Sequence, residues 1–391
     1  MKILHIIPSY LPAYHIGGPV KSTHDLCKAL AGRKVEVSIF TTTIGSASIP
    51  GPFPYKDNID GIDITYFPSG PFKRYNYAYG ISKAIKEKIG DYDIVHIYSV
   101  FSYTTLVACS ACRKSSTPYI LNPFGALDKD MLNLRSALLK KAYIKFVERK
   151  NIEAAAFIHV ASDYEKNKLM ELGFKSRIEV IPPGLNLLEY NRQDDILRIR
   201  YPELKGKKIV LYLGRIHPKK GIGILLEAFR KVIAQRDDVY LVVAGPINNS
   251  YAKKIENSVN KESVLKSRVI FTDILLGADK AGAFFASDIF ILPSYGENFG
   301  IAALEALACG LPVLLTKETG LSSELKESGA GMIIKRDALD ISKNIERLLS
   351  NPDLREVMSL RGRELVRKRF DLGVTVNKII GLYESIAKRG L

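Results

Sequence analysis

Short runs of apolar residues alternate along the chain with longer segments whose apolar positions recur at helical spacing. Runs such as IVLYLG, YLVVAG and IFILP are apolar throughout, which is typical of parallel strands covered on both faces. This alternation predicts doubly wound α/β domains, each open at the carboxyl ends of its strands. The predicted strands are Lys2–Pro8, Val35–Thr42, Ile62–Phe67, Ile94–Tyr98, Tyr119–Asn122, Phe157–Val160, Ile178–Ile181, Lys208–Leu213, Val239–Ala244, Val269–Phe271, Ile289–Leu292, Val313–Leu315 and Gly331–Ile334.

The strand–helix pattern weakens once, in the polar stretch after Gly184, and a new apolar strand begins only after Gly206. We therefore expect two α/β domains with a ligand cleft between them. The tail from Val374 to Ala387 has the apolar spacing of an amphipathic helix. The predicted parts are a first domain over 1–185, a linker region over 186–206, a second domain over 207–372 and a C-terminal helix over 373–391.

The chain of 391 residues carries a formal net charge of +16, which favours anionic partners such as nucleotides, phosphorylated substrates, nucleic acid or anionic lipid. Four cysteines are few for this length and indicate a reduced, cytoplasmic protein. No apolar run reaches the roughly 20 residues that span a bilayer, so any membrane contact is expected to be peripheral, at the inner face.

The most informative segment surrounds Glu297, in a loop between the strand IFILP and a helix that begins near Ile301. Amides at a helix N-terminus form a natural anion site, and a carboxylate accepts strong hydrogen bonds from sugar hydroxyls. A second carboxylate, Glu305, follows eight residues later in the helix. Taken alone, the pair also fits a solvated loop glutamate and a structural helix glutamate. The amides at this helix start belong to Asn298, Phe299, Gly300 and Ile301.

Positive charge follows another strand of the second half, where LYLG is succeeded by Arg215, Lys219 and Lys220 and then by a helix. Cations at a strand's carboxyl end beside a helix start are placed to hold a diphosphate. Solvated lysines in a turn are the alternative. In the first half, Gly17 and Gly18 follow the strand HIIP and allow close backbone approach, or form a tight turn.

Several common site motifs are missing from the sequence. The chain contains no GxGxxG, no GxxxxGK[ST], no GxSxG and no HExxH, so a nicotinamide cofactor has little support. Asp91-Tyr92-Asp93 has the form of a metal–diphosphate motif, but it precedes a strand rather than ending one. We therefore expect neither a bound metal nor a cofactor.

At these residues the chain resembles the family 4 (group 1) retaining glycosyltransferases with the GT-B fold, over nearly its whole length. The motifs that carry the resemblance are Gly17-Gly18, Gly214-Arg215, Lys220-Gly221 and the Glu297/Glu305 pair in ENFGIAALEALACGLPV. It implies two Rossmann-like domains facing across a cleft, with a C-terminal helix packing back on the first. It also implies metal-independent transfer of a sugar from a nucleotide-diphosphate sugar, the co-substrate, to a glycan or lipid-linked acceptor, as in polysaccharide biosynthesis.

The resemblance also assigns roles on the donor side. Arg215 and Lys220 would grip the donor diphosphate, Glu297 would lie near the donor sugar, and Glu305 would hold the nucleoside ribose. The glycines Gly17 and Gly18 would approach the phosphates or the acceptor from the other domain.

On the acceptor side the sequence departs from the family. Many relatives carry a histidine in the loop after the fifth N-terminal strand, and here Phe124 stands about there. His96, at the end of the preceding strand, is the candidate substitute near the acceptor. The alternative is that His96 is a buried, hydrogen-bonded histidine.

The segment Leu132–Lys150 is predicted to be an amphipathic helix that touches an anionic membrane. Leu138, Tyr143 and Phe146 fall on its apolar face, and lysines follow its flank. A core-packed helix with solvated lysines is the alternative.

Two other functions are considered as alternatives to a glycosyltransferase. One is a nucleotide-sugar epimerase of the same architecture, and the other is a non-catalytic protein that binds anionic surfaces. Nucleic acid is not an expected partner, because the chain has no helix-turn-helix, zinc-finger or RNA-binding aromatic motif.

Overall fold

The computed structural model describes residues 1–46, 49–72, 75–127, 137–191 and 195–388. The chain divides into two compact units, each built on its own sheet. Unit 1 comprises Met1–Gly184 together with Leu372–Leu391, and unit 2 comprises Leu185–Asp371. The C-terminal helix therefore belongs to unit 1 although it follows unit 2 in sequence.

Unit 1 contains an eight-stranded sheet whose pairs are parallel except for one antiparallel edge pair, β3 with β4. The order β3-β4-β2-β1-β5-β6-β7-β8 puts the topological switch between β1 and β5, where open α/β sheets bind ligands. The strands are β1 (Lys2–Ser9), β2 (Glu36–Thr42), β3 (Tyr55–Ile59), β4 (Ile62–Phe67), β5 (Ile94–Tyr98), β6 (Tyr119–Asn122), β7 (Phe157–Val160) and β8 (Ile178–Val180).

Helices of unit 1 begin where the sequence supplies a suitable first turn. The first has Pro19 there, and Ser102 caps the third by accepting the Thr105 N–H. The last buries Ile379 and Tyr383 in the unit 1 core. They are α1 (Gly18–Ala31), α2 (Ile81–Lys88), α3 (Tyr103–Ser115), α4 (Ala137–Tyr143), a π-helical segment (Ile144–Glu148), α5 (Arg149–Glu153), α6 (Asp163–Met170) and, at the C-terminus, α16 (Leu372–Ala387).

Unit 2 contains a six-stranded parallel sheet in the order β11-β10-β9-β12-β13-β14. Its core strands are almost completely buried, as their continuous apolar runs predict. The strand order reverses between β9 and β12, which makes their carboxyl ends the switch point of this sheet. The strands are β9 (Lys208–Leu213), β10 (Val239–Ala244), β11 (Val269–Asp273), β12 (Ile289–Leu292), β13 (Val313–Thr316) and β14 (Gly331–Ile334).

A helix follows every strand of this sheet, so both sheet faces are covered. The helices of unit 2 are α7 (Ile196–Arg200), α8 (Ile222–Ile233), α9 (Ser250–Asn260), α10 (Ser263–Lys266), α11 (Gly277–Ala286), α12 (Ile301–Ala308), α13 (Ser322–Ser328), α14 (Ala338–Leu349) and α15 (Pro352–Arg369).

The segment predicted as a linker, 186–206, belongs to unit 2. It contains a 3-10 turn, Leu187–Tyr190, and helix α7. Arg198 in α7 donates to the carbonyl oxygens of Ala286 and Lys207, at 3.0 Å each, and so joins the segment to the sheet and to α11. Its polar sequence reflects a surface position rather than a free connection. Residues 192–194 lie outside the described part of the chain.

Candidate functional site

Two loops meet at the switch point of the unit 2 sheet, where β9 and β12 end. The Tyr295 N–H donates to the Lys219 carbonyl at 2.7 Å and joins them. At Gly221, with φ +73°, a Cβ atom would lie 2.0 Å from the Pro293 carbonyl oxygen. Glycine is therefore required both by the left-handed backbone and by the close approach. The sequence pattern around Lys220-Gly221 thus has a direct structural cause.

The two loops bring the predicted site residues Lys220 and Glu297 into a direct ion pair, with both side chains largely shielded from solvent. The main chain of Glu297 is also fixed: its N–H donates to the Glu318 carbonyl at 2.9 Å, and its carbonyl accepts from Gly320 at 3.0 Å. Arg215 lies on the same β9 loop with its side chain exposed. Two cations, Arg215 and Lys220, and the Glu297 carboxylate thus lie at one edge of the sheet.

Electrostatics make this spot receptive to an anion. Burial lowers the pKa of Lys220 to about 8, and Arg215 and Lys219 act in the same direction because they repel its ammonium group. The Glu297 carboxylate opposes this lowering, since it stabilises the charged form of Lys220. A bound diphosphate would also stabilise the charged form of Lys220. An anionic ligand would therefore reduce the repulsion among the positive charges of the β9 loop.

The N-terminus of α12 lies directly after the Glu297 loop. Gly300 caps the helix with φ +95°, and Ile301 is its first residue. Asn298 is half-buried, whereas the Phe299 ring is 3% exposed and packs on Phe370. The Phe299 ring therefore belongs to the core, and any ligand contact at that position falls to its main chain.

Glu305 is almost fully buried in α12 and is engaged by two residues that the sequence did not single out. Its Oε1 accepts from Lys280 Nζ at 2.6 Å and from the Tyr190 hydroxyl at 2.8 Å. Lys280 lies in the first turns of α11, the helix that follows β11. Its position after the end of a predicted strand is the sequence signal that could have identified it. Tyr190 lies in the predicted linker, which hid its role.

Two further polar groups beside the Glu297 loop were also missed. Ser294 and Thr319 are fully buried, and within the described residues their hydroxyl oxygens have no hydrogen-bond partner. Thr319 pairs with Glu297 through an isolated β-bridge. Buried hydroxyls without partners are costly, so their position next to Glu297 marks them as candidates for contact with water or ligand.

The unit 1 glycines lie at the carboxyl end of β1. Gly17 has φ +115°, and a Cβ atom built there would meet nothing within 4 Å. Gly18 is the first residue of α1. Open space beside a left-handed glycine is compatible with a ligand approaching the backbone. Their contact with donor or acceptor stays a prediction.

The structure does not support His96 as an acceptor-side residue. His96 is in the middle of β5, is 0% exposed, and its Nδ1 lies 2.9 Å from the Tyr383 hydroxyl of α16. Burial and the neighbouring histidines lower its pKa well below the usual value. Phe124 follows β6 with φ +51° and stacks on Tyr98 at 5.2 Å between ring centroids. Asp128, at the end of the same loop, lies outside the described residues.

Comparison with known protein families finds two matches, one in each unit. Residues 16–188 match the family described as "Glycosyltransferase Family 4", and residues 193–365 match "Glycosyl transferases group 1". Together the two matches leave only the ends and a short central stretch of the chain uncovered.

Relatives and solved structures give the same result. Alpha-monoglucosyldiacylglycerol synthase of Streptococcus pneumoniae is 28% identical, covering 91% of this chain and 80% of the relative. D-inositol 3-phosphate glycosyltransferase of Stackebrandtia nassauensis is 24% identical, covering 93% and 85%. Sucrose-phosphate synthase from Thermosynechococcus elongatus superposes with a TM-score of 0.80 at 21% identity, covering 98% of both chains. Anabaena HepE, solved with UDP-glucose, superposes with a TM-score of 0.80 at 17% identity, covering 98% of this chain and 100% of HepE.

The two-sheet fold and these matches define a glycosyltransferase of the GT-B class. The chain belongs to the group 1, family 4 glycosyltransferases and is an enzyme. The two alternatives, an epimerase and a non-catalytic anionic-surface binder, find no support in these comparisons.

No helix in the described part of the chain is both long enough and apolar enough to cross a membrane. Across the same residues, no group of three or more His, Cys, Asp or Glu side chains is placed to hold a metal ion.

Proposed function

We propose that this protein transfers a sugar from a nucleotide-diphosphate sugar to an acceptor hydroxyl, with retention of configuration at the anomeric carbon. The observation that carries the proposal is the meeting of Lys220, Glu297 and the α12 N-terminus at the switch point of unit 2. Arg215, on the same β9 loop, adds a cation. This set combines the groups that a sugar diphosphate requires: cations and amides for phosphates, and a carboxylate for sugar hydroxyls.

On the donor side, Arg215 and Lys220 hold the diphosphate together with the main-chain amides from Asn298 to Ile301. Lys220 exchanges its Glu297 partner for the phosphate, which frees that carboxylate to accept hydrogen bonds from the sugar. Glu305 is held by Lys280 and Tyr190. In this proposal its carboxylate accepts hydrogen bonds from the ribose hydroxyls.

In the transfer step, the bond between the anomeric carbon and the diphosphate oxygen breaks, and a bond to the acceptor oxygen forms on the same face. The acceptor proton passes to an oxygen of the leaving diphosphate, so no protein base is needed. Negative charge grows on that diphosphate, and fixed cations and amides stabilise it most at the transition state. The proposed reaction needs no metal and no cofactor, because Arg215, Lys220 and the α12 amides supply the positive charge.

Names of relatives suggest which substrates to try first. Anabaena HepE was solved with UDP and with UDP-glucose, so a uridine-diphosphate sugar is the first donor to test. The names of relatives contain monoglucosyldiacylglycerol, phosphatidyl-myo-inositol and D-inositol 3-phosphate. We propose a glycan or lipid-linked acceptor for this chain.

We propose a peripheral position at the inner face of an anionic membrane, and helix α4 with the π-helical segment supports it. Leu138 is 84% exposed and Phe146 is 73% exposed, and Ala142, spaced evenly between them, is exposed as well. Lys141 and Lys145 precede the last two of these positions and are also exposed. An apolar stripe flanked by lysines fits a bilayer interface rather than a protein core.

The membrane prediction for this segment covers more residues than the structure describes, since 132–136 and the side chain of Leu139 lie outside the described part. Tyr143, predicted on the apolar face, is half-buried, and its hydroxyl lies 2.7 Å from that of Tyr75. The proposed contact therefore rests on the exposed positions alone.

Replacement of Glu297 tests the proposed chemistry. Glu297→Gln keeps the shape of the side chain but removes the charge that binds the sugar at the transition state. We expect kcat to fall by about 10²–10³-fold with little change in stability. The matched control is Glu327→Gln, an exposed glutamate of the same unit paired with Arg369, which should keep wild-type turnover. A folded Glu297→Gln enzyme with wild-type turnover would remove Glu297 from the site.

A further inference from the structure

Unit 1 carries a cluster of aromatic side chains that the donor chemistry does not use. They come from the loops that follow β4 and β5, from the start of α3 and from the end of α4. The β5 loop lies at the switch point of the unit 1 sheet, the edge where open α/β sheets bind ligands. The cluster, the aromatic shelf, consists of Tyr75, Tyr77, Tyr79, Phe101, Tyr103 and Tyr143.

The rings of the shelf form one continuous set of contacts. Tyr77 lies 4.8 Å from Tyr103 and 5.4 Å from Tyr79 between centroids. Tyr75 links this group to α4, because its hydroxyl oxygen lies 2.7 Å from that of Tyr143. Phe101 closes the set against Tyr143 at 5.8 Å. The shelf is therefore a fixed surface rather than a group of independent rings.

The shelf is supported from below and open above. At Gly70, a Cβ atom would lie 2.4 Å from the Tyr77 ring, so the ring packs directly on the main chain. Tyr79 is 52% exposed, and Phe72, at 6.3 Å from Tyr77, is 69% exposed at the rim. The segment that carries Tyr75, Tyr77 and Tyr79 is tied to the loop after β4 by an isolated bridge between Ser69 and Ala78.

A buried carboxylate holds the β5 side of the shelf in a strained conformation. Ser99 and Phe101 have φ +77° and +56°, values that non-glycine residues rarely adopt. The Phe101 N–H donates to Glu148 Oε1 at 2.6 Å, and Glu148 is 0% exposed. Glu148 lies in the π-helical segment, a type of helix irregularity often found at functional sites. Such strain persists where a particular geometry is needed.

We propose that the aromatic shelf is a carbohydrate-binding subsite that holds a pyranose ring of the acceptor. The C–H face of a pyranose is apolar and packs on aromatic rings, while its hydroxyls need donors and acceptors such as tyrosine hydroxyls. A surface of five tyrosines and one phenylalanine provides both. The inference rests on the proposed glycosyltransferase function and deepens it, because it makes the acceptor a glycan or glycolipid. Glu148 is then a positioning residue for the shelf.

Saturation-transfer NMR on the full-length protein tests the shelf with methyl α-glucoside, methyl β-galactoside, methyl α-mannoside and maltose at millimolar concentration. We expect transfer to the C–H protons of at least one of these sugars. Tyr79→Ala and Phe72→Ala remove exposed rings without disturbing the core, and each should weaken the contact about fivefold to tenfold. Phe53→Ala, an exposed aromatic of unit 1 outside the shelf, is the matched control and should change nothing.

Two further readouts separate this inference from its alternatives. UDP-glucose binding should be unchanged in all three variants, because unit 2 carries the donor site. No transfer to any sugar, with UDP-glucose binding intact, would overturn the shelf proposal alone; failure of every nucleotide sugar to bind would instead count against the proposed function. Variants that lose binding to phosphatidylglycerol vesicles while keeping sugar contact would assign the surface to a membrane and overturn the proposal. Glu148→Gln should weaken sugar contact while leaving donor binding unchanged.

Discussion

Three buried histidines of unit 1 form a hydrogen-bonded chain that is complete when every imidazole is neutral. The Tyr98 hydroxyl oxygen lies 3.0 Å from His5 Nδ1, the Tyr383 hydroxyl oxygen lies 2.9 Å from His96 Nδ1, and His159 Nε2 donates to the Ile181 carbonyl at 2.8 Å. The links between these pairs are longer, at 3.3 Å from His96 to His159 and 3.5 Å from Tyr383 to His5. An added proton would place a positive charge on an imidazole that is buried away from water, which is costly.

Acid should therefore destabilise unit 1 through these histidines. Burial lowers the pKa of His5 to about 3 and of His159 to about 4, below the value near 6.5 of an unfolded chain. Because the unfolded state binds protons first, stability is lost as the pH falls from about 6.5 towards those values. Each histidine contributes up to about 1.4 kcal/mol per pH unit.

Urea unfolding monitored for unit 1 at pH 7.5 and pH 5 measures this effect. His159→Gln should lower stability at pH 7.5 but should also reduce its dependence on pH. The exposed pair of Lys83 and Glu87 supplies the control, since Glu87→Gln should leave the dependence unchanged. An unaltered pH dependence in a folded His159→Gln protein would rule out the buried chain as its source.

At the scale of secondary structure, continuous apolar runs in the sequence predicted the core strands. Core strands such as β9 and β12 fall where their runs lie. Edge strand β3 was missed because YKDNI is polar and pairs on one side only, with β4. The meeting of Lys220 with Glu297 was predictable because both follow strands of one parallel sheet.

Other site features depend on contacts that local patterns do not encode. The sequence could not decide between the two roles considered for His96, because its partner Tyr383 lies 287 residues away in sequence. Tyr190 was missed because the polar stretch around it was interpreted as a linker. The tyrosine alternation at Tyr75, Tyr77 and Tyr79 was visible in the sequence, but its packing against α3 and α4 was not.

In the proposed mechanism, the main-chain amides at the start of α12 bind the donor diphosphate. At Gly300, φ is +95° and a Cβ atom would lie 3.0 Å from Thr319 Cγ2, so Gly300→Ala strains the main chain at the helix start. We expect weaker donor binding and a loss of about 1 kcal/mol in stability. Calorimetric titration and urea unfolding measure the two effects.

A glycine inside another helix provides the control for Gly300→Ala. Gly381 lies within α16, where a Cβ atom would meet nothing within 4 Å. Gly381→Ala should stabilise the protein by up to about 1 kcal/mol through helix propensity and leave donor binding unchanged. Equal donor affinity in both variants would show that the α12 N-terminus does not contact the donor.

For the whole molecule, the charge of +16 and the exposed stripe on α4 predict salt-sensitive attraction to anionic membranes. Sedimentation with vesicles of phosphatidylcholine and phosphatidylglycerol measures it. Leu138→Asp combined with Phe146→Asp should abolish binding, because both side chains are exposed and neither supports the core. Leu360→Asp, on an exposed position of unit 2, is the control. Binding that is indifferent to the stripe variants would place any membrane contact elsewhere.

The central claim is that unit 2 binds a nucleotide-diphosphate sugar through Arg215, Lys220 and the α12 amides. The most direct test is calorimetric titration of the full-length protein with UDP-glucose, UDP-N-acetylglucosamine, UDP-galactose and GDP-mannose. We predict that one of these donors binds, and that Arg215→Ala and Lys220→Ala each weaken it by about tenfold or more, since each removes a charge-assisted contact to phosphate. Lys326→Ala, a lysine of α13 in the same unit, should bind as the wild type does. Donor binding that is the same in the wild type, Arg215→Ala and Lys220→Ala would contradict the account.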